Sequence, residues 1–512
     1  MLPTSLGTHM VATRVARASR LLRALPRRSL SSARALPVVN PYTRDVFDEV
    51  AADDDLSVAK RFVKASKAQE AWAATPARER LACVSRFADA LRSNADEIAA
   101  TLTDEMGKPT TQAKAEVLAA SRRVSALSAI VESEVLSSAE PRSASRGNAV
   151  VERVQLEPVG VVSHISAWNY PHLLAASVCA PALALGNAVL HKPSEKTPLS
   201  GAMTARLLHE SGVPEGVFQV AQGDGDVGRA LCSLRGLGAV AFTGSRGNGG
   251  KALRATYAAA ADANPRFFPA LPRTAFELGG KDAVYVRADV EDVPAAARSI
   301  ASGKFYNAGQ GCCAPERIYV HESIADGFVD AFVAEAAKLQ LGDPTLRTTT
   351  LGPLALASAP VRVEKQVREA EESGAFRMAF RGKAPSDSFF PPTVLVGVGA
   401  KVGSPREFSL TRDETFGPAV AIVIVRDDAT ALEQMADSDY GLTASVYSSD
   451  GEFAERALKS LNVGTGYVNS CNHVSVNLPW GGRGESGHGA TLGIEGVRMF
   501  TKVKSTYAVA TN

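Results

Sequence analysis

From Asp55 onward the apolar residues fall at helical spacing through "DLSVAKRFVKASKAQEAWAATPARERLACVSRFADALRSNADEIAATLTDEMGKP", and the pattern stops where Gly107 and Pro109 break it. Successive amphipathic helices are predicted, with a packing role. The period then shortens: "GNAVVERVQLEPVGVVSHI" alternates apolar and polar residues and is interrupted at Glu157 and Pro158, which predicts two strands, the second entering a core. From Val159 to Val286 short apolar runs ("VGVVSHI", "AVLHK", "VFQVAQ", "VAFTG", "TAFEL") alternate with helical stretches, three of them starting at Pro198, Asp226 and Gly249. That alternation predicts a parallel sheet with helical crossovers. A second series follows, with a helix through "DVPAAARSIASGKFYNAG", the strand "RIYVH", a helix from Ser323 and the strands "AVAIVIV" and "TASVYS", and implies a second α/β domain.

One apolar run, "LLAASVCAPALALGNAVL" from Leu173, raises the question of a membrane span. Pro181, Gly186 and Asn187 interrupt it, so a helix covered on all sides, followed by a turn and a strand, is expected instead. The length of 512 residues, with 45% hydrophobic and 21% charged residues, fits an ordinary globular protein of two or three domains. Six cysteines lack CxxC spacing and the histidines include no HxxxH pair, so neither a zinc framework nor a disulfide scaffold is suggested. Residues 1–35 carry Arg14, Arg17, Arg20, Arg23, Arg27, Arg28 and Arg34, and no acid precedes Asp45. On a helix Val11, Val15, Ala18, Leu22 and Leu25 oppose four of those arginines, the make-up of a transit peptide for the mitochondrial matrix. Without that leader the chain has no basic excess, and nucleic acid is not an expected partner.

Three glycine-rich stretches are candidates for chemistry. "GDGDVG" at Gly223, Gly225 and Gly228 fits a dinucleotide fingerprint, but the next strand end, "AFTGSRGNGG", lacks the acid that fingerprint requires, and a strand-closing turn is the preferred reading. In "FTGSRGNGG" the backbone amides around Gly244, Ser245 and Gly249 suit a pyrophosphate or equally a bare strand-to-helix turn. "YNAGQGCCAPER" presents two adjacent thiols, Cys312 and Cys313, behind Gly309 and Gly311. A thiol there is either a nucleophile or a buried structural cysteine.

Eight stretches in order, "SAWNYP", "GNAVLHKPSE", "FTGS", "ELGGKD", "NAGQGCCAPERIYV", "DETFGPAV", "YGLTASV" and "NLPWGGRGESGHG", make the chain resemble the NAD(P)-dependent aldehyde dehydrogenases from Asn40 nearly to its end. The resemblance implies that Cys312 is the nucleophile, Glu277 the general base, and Asn169 with the Cys312 backbone N–H the oxyanion donors. It implies cofactor contacts at Ile165, Ser166, Trp168, Lys192, Glu195, Gly244, Ser245, Gly249, Leu278, Glu414 and Phe416. Glu195 is expected at the adenosine ribose, where its charge disfavours a 2′-phosphate, so NAD is preferred and NADP remains possible. No metal is implied.

The implied architecture is α/β: a Rossmann-like NAD-binding domain (36–137 and 159–285), an α/β catalytic domain (286–480) and a small β oligomerisation arm (138–158 and 481–512) that makes a homodimer or homotetramer. The implied reaction oxidises an aldehyde to its acid through a cysteine thiohemiacetal and thioester. One departure from the family is the long segment between Ser245 and Glu277, with Pro265, Pro269 and Pro272, which is either a surface insertion or a misread gene segment. Two rivals stand beside this reading. A CoA-acylating semialdehyde dehydrogenase is disfavoured by Glu277, and a non-catalytic binding or structural relative has only the long segment in its favour.

Overall fold

A computed structural model describes residues 34–137, 142–143, 150–261, 271–397 and 402–509. The arginine-rich leader up to residue 33 and the part of the long segment holding Pro265 and Pro269 lie outside the described residues. The described chain opens with an antiparallel hairpin, β1 (Ala35–Val39) and β2 (Val46–Ala51). Four helices follow: α1 (Asp55–Ala74), α2 (Ala77–Ser93), α3 (Ala95–Met106) and α4 (Thr110–Ser137). Asp54 starts α1 with a capping box, its carboxylate accepting from the Ser57 N–H while the Ser57 hydroxyl accepts from the Asp54 N–H. Gly107 ends α3 at φ 73°, the left-handed stop expected from the sequence.

After β3 (Arg142–Ser143) and β4 (Val150–Pro158) comes the first α/β series: β5 (Val161–Ile165), α5 (Pro171–Ala184), β6 (Ala188–Lys192), α6 (Pro198–Glu210), β7 (Phe218–Val220), α7 (Gly225–Cys232), β8 (Ala239–Thr243), α8 (Arg246–Ala261) and β9 (Arg273–Glu277). Strands β9, β8, β5, β6 and β7 lie side by side and parallel. Helix α5 is the apolar run of the sequence, buried almost throughout. No helix among the described residues is long and apolar enough to cross a membrane. The last carbonyls of α5 need partners inside the core, and α1 and α2 supply them: Trp72 Nε1 donates to Leu183 O (2.9 Å) and Arg80 Nε to Ala184 O (2.9 Å). The same helices share one apolar cluster with the sheet, including Phe87, Val124, Leu190 and Phe218. Burying each such side chain contributes about 1.5–3 kcal/mol.

Helix α8 begins at Arg246, not at Gly249, so Gly249 lies within its first turn. A Cβ there would stand 2.3 Å from Leu278 Cδ2, so the glycine lets α8 pack against the chain leaving β9.

The second series builds a seven-stranded sheet in the order β12 (Phe376–Arg381), β13 (Thr393–Gly397), β14 (Ala419–Val425), β11 (Arg317–His321), β10 (Ala283–Val286), β16 (Thr443–Tyr447) and β17 (Thr465–Val468). Helix α9 (Val293–Phe305) precedes β11 and stops at Phe305, short of the predicted end, because Asn307, Ala308 and Gly309 are left-handed at φ 54°, 55° and 72°. The tail differs from the expected arm. Its short strands β18 (Arg483–Gly484) and β19 (Gly487–His488), which pair with β15 (Tyr440–Gly441) and β9, dock it on the main body. Only β20 (Thr501–Val509) joins β4 and β3 in a three-stranded sheet.

Candidate active site

The parallel strands set the site. Thr243 at the end of β8 is level with Glu277 at the end of β9, and Ile165 on β5 is level with Lys192 on β6 and Phe242 on β8. Four strand ends therefore release their loops along one edge, where open α/β sheets bind ligands. A cavity of about 900 Å³ runs along that edge. Its wall contains Cys312, Glu277 and Asn169 together with Ile165, Ser166, Trp168, Lys192, Glu195, Gly244, Ser245, Leu278, Glu414 and Phe416. Of the residues selected from sequence, Gly249 alone is off the wall, since it faces Leu278.

On the cavity wall Cys312 is half-buried, and its neighbour Cys313 is buried. The Cys313 thiol donates to Asn472 Oδ1 (3.2 Å), away from the cleft. The loop bearing them is held from below. A Cβ on Gly309 would stand 2.3 Å from Gly417 O, so only glycine fits there, whereas one on Gly311 would meet nothing nearer than 3.6 Å. Gln310 is buried, receives the Ala355 N–H on Oε1 (3.0 Å), and accepts Asn169 Nδ2 on its own carbonyl (3.1 Å). That bond uses one of the two hydrogens on Asn169 Nδ2. Asn169 is buried and is fixed through its carbonyl by Lys108 Nζ (2.7 Å) and Asn307 Nδ2 (3.3 Å).

Glu277 is buried at the end of β9, and its Oε1 has no hydrogen-bond partner among the described residues. Burial pushes its carboxyl up, while contacts to Trp480 and Cys312 and the charge of Arg123 pull the other way. The Cys312 thiol is pushed up as well, first by the Cys313 thiol, then by burial and the nearby Glu277 charge. Both shifts favour the neutral forms of the two groups. Glu277 is no surface glutamate satisfied by solvent.

The far wall is organised by a buried ionic cluster. Glu316 accepts Lys281 Nζ (2.6 Å) and the backbone N–H groups of Thr415 (2.8 Å) and Phe416 (3.0 Å), with Lys304 Nζ at 3.5 Å. The two lysines hold its carboxyl down to about 2 despite burial. The cluster fixes the neighbouring Glu414, which receives the Gly280 N–H (3.1 Å), and a Cβ on Gly279 would lie 2.4 Å from that carboxylate. Phe416, at φ 44°, meets Trp168 edge-on (5.5 Å, 86°), so it is a wall residue and not core. Three further groups reach the wall. The "GDGDVG" stretch is a strand-to-helix turn, and it also brings Asp224, Gly225, Asp226 and Gly228 to the wall. Lys251 and Arg362 reach it too, and Arg362 Nη1 binds Thr415 O (2.7 Å). The glycine pattern marked the first; isolated basic residues carried no signal.

The donor set suits a dinucleotide: an exposed carboxylate at Glu195, a helix N-terminus at α8, a glycine floor under Glu414 and an aromatic pair, in a cavity of the right size. The sequence profile described as "Aldehyde dehydrogenase family" matches residues 28–506. The chain is 34% identical over 470 residues to betaine aldehyde dehydrogenase 2 of Rhizobium meliloti (strain 1021), covering 92% of this chain and 93% of the relative. It is 32% identical over 472 residues to the NADP/NAD-dependent aldehyde dehydrogenase PuuC of Escherichia coli (strain K12), covering 92% and 91%. The crystal structure of PnpE in complex with nicotinamide adenine dinucleotide superposes with a TM-score of 0.85 at 30% identity, covering 94% of this chain and 95% of that one. These relatives correct the expectation of a mitochondrial matrix enzyme with a transit peptide: those with a stated source are bacterial, from organisms without mitochondria, and the leader lies outside the described residues. The chain belongs to the aldehyde dehydrogenase family and is an NAD(P)-dependent enzyme that oxidises an aldehyde to its carboxylic acid.

Proposed function

We propose that Cys312, Glu277 and Asn169 carry the reaction. The carrying observation is that all three line one cavity, with Asn169 bonded to the loop of Cys312 and Glu277 in contact with Cys312, and that the remaining wall suits the cofactor. Glu277 takes the thiol proton as Cys312 Sγ bonds to the aldehyde carbon, and the carbonyl electron pair moves to oxygen. The second hydrogen of Asn169 Nδ2 and the Cys312 N–H hold that oxyanion. The bound nicotinamide supplies the hydride acceptor, and loss of hydride from the carbon leaves a thioester on Cys312. Glu277, having released its first proton, takes one from water; the water oxygen bonds to the acyl carbon, the C–S bond breaks, and the acid leaves. Aldehyde-dependent NADH formation without CoA, lost in Cys312→Ala, is the test; a requirement for CoA would reject water as the acyl acceptor.

Glu414 and Phe416 are assigned to the nicotinamide ribose and ring, Ser245 and Gly244 to the pyrophosphate, and Glu195 and Lys192 to the adenosine ribose. The Glu195 side chain is 41% exposed with Lys192 Nζ 4.0 Å away, so its charge disfavours a 2′-phosphate and NAD is the preferred cofactor. The two sheets are taken as the cofactor and catalytic domains, and β3, β4 and β20 as the arm. On β20 Val503, Tyr507 and Val509 are 62%, 64% and 60% exposed on one face, which supports an arm that adds to a second copy in a homodimer or homotetramer. Sedimentation of wild type and Tyr507→Glu tests this; two monomers would reject it.

A further inference from the structure

The thiol and carboxylate of the cavity wall feel the charge of one cation that is not on that wall. Arg123 projects from α4 and is half-buried. Its Nη1 donates to Ser177 Oγ on α5 (3.0 Å), and its Nη2 reaches Val474 O at a long 3.4 Å. Neither partner is charged, and the guanidinium forms no ion pair among the described residues. Burial pulls its pKa down, and the charges that act against this are those of Glu277, Glu116, Cys313 and Cys312. Glu116 is already committed to Lys108. Arg123, Ser177 and Val474 are not on the cofactor wall, whereas Cys312 and Glu277 are. Arg123 holds the 473–479 loop through Val474 O, and Cys313, next to the reacting thiol, donates to Asn472 just before that loop.

A guanidinium has five N–H donors and keeps its charge, and only two donors have partners here. Holding such a group half out of water without a counter-ion is costly unless a ligand supplies the charge. Val474 sits in the loop from His473 to Pro479, where His473, Asn477, Leu478 and Pro479 are exposed.

Resting on the assignment of Cys312 above, we propose that Arg123 is a specificity-determining residue that binds a carboxylate on the far end of the substrate, making the preferred substrates oxo acids, aldehydes that carry a carboxylate. Charge-assisted bonds to a planar carboxylate are the strong kind that a guanidinium makes bidentately. The same charge works against a quaternary ammonium aldehyde. The chemistry at the aldehyde carbon is unchanged; only the distal group is recognised.

The test compares kcat/KM for succinic and glutaric semialdehyde with that for butanal and pentanal, and with betaine aldehyde, all with NAD. Wild type is expected to favour the oxo acids over their neutral counterparts by about 10²-fold. Arg123→Met is expected to bring that ratio near one and to raise the rate with betaine aldehyde, a gain that misfolding cannot imitate. Arg123→Lys, which keeps the charge but loses the fork, is expected to retain part of the preference. Equal use of oxo acids and neutral aldehydes by wild type, or a ratio unmoved in Arg123→Met, overturns the proposal. Turnover of butanal keeps the Cys312 chemistry intact in that case, whereas failure of every aldehyde would strike at the chemistry itself.

Discussion

Replacing Lys108 by Met removes a buried charge whose partners are all visible. Lys108 and Glu116 are 1% and 3% exposed and form a close ion pair. Lys108 Nζ also donates to Asn169 O (2.7 Å) and lies 4.1 Å from the Tyr170 ring centre, while Glu116 Oε1 accepts the His172 N–H (3.1 Å). The pair thus grips the chain at Asn169 and again three residues beyond it, at His172. Lys108→Met leaves Glu116 buried with that single backbone donor, and breaking a buried pair in this way costs about 3–5 kcal/mol. Adding Glu116→Gln removes the stranded charge while keeping an acceptor for His172, so the double variant should return to within about 1–2 kcal/mol of wild type. Activity should not return with it. Without the lysine the Asn169 carbonyl loses its shortest bond, and a displacement of about 1 Å at an oxyanion donor costs on the order of 10² in rate. Urea midpoints and kcat at saturating substrate read the two effects separately. A single variant as stable as wild type, or a double variant with restored kcat, would refute this account.

Asn169→Ala should lower kcat by about 10²–10³-fold with little change in cofactor affinity, measured by steady-state rates and a binding titration; an unchanged kcat would remove the oxyanion role. Glu277→Gln should leave an enzyme unable to hydrolyse its thioester, so rapid mixing should show at most one NADH per site followed by a collapsed steady state. In wild type the acid limb of kcat should lie above the ordinary glutamate value of about 4.3, because burial raises Glu277 and the protonated form cannot accept a proton. Glu414 is pushed up to about 7 by burial and by the charge of Glu316. Below that pH it is neutral and a poorer acceptor for ribose hydroxyls, so NAD affinity should rise as pH climbs through about 7 and flatten in Glu414→Gln. Glu195→Ser should raise kcat/KM with NADP relative to NAD, and a ratio that does not move would detach Glu195 from the ribose.

Much of the candidate site was legible because each residue proposed to react sits in a short contiguous motif that also carries its backbone geometry. Cys312 comes with Gln310, whose side chain and carbonyl both hold the loop, and Glu277 comes with Gly279, whose missing Cβ admits Glu414. Groups whose meaning depends on a distant partner were not legible. Lys108 is an ordinary helix-end lysine until the fold places it under Asn169, 61 residues on, and Arg123 lies in α4, beyond the helices read from the sequence. Gly249 shows the converse error: its glycine is needed for contact with Leu278, not for a ligand. The end of α9 was overestimated because the residues that reverse the chain, Asn307 and Ala308, are no glycines and gave no warning. Positive φ at an alanine is costly, and here it is maintained by a loop pinned through Asn307 Nδ2, Gln310 and the close approach of Gly309 to Gly417.

The buried acids around the site show why composition said so little about charge. Glu316, Glu414 and Asp282 all belong to this wall or the strand beneath it, yet they are driven to about 2, about 7 and about 8. Burial acts on all three in the same direction, so partners decide the difference. Glu316 has two lysines and two backbone donors. Asp282 has the Thr443 N–H and hydroxyl and forms no ion pair among the described residues. Glu414 has one backbone N–H and sits near the Glu316 charge, which adds to the penalty of ionising it. The permanent charge is thus locked in the structural cluster, whereas the two acids on the cleft wall, Glu414 and Glu277, are both raised by burial above the ordinary carboxylate value.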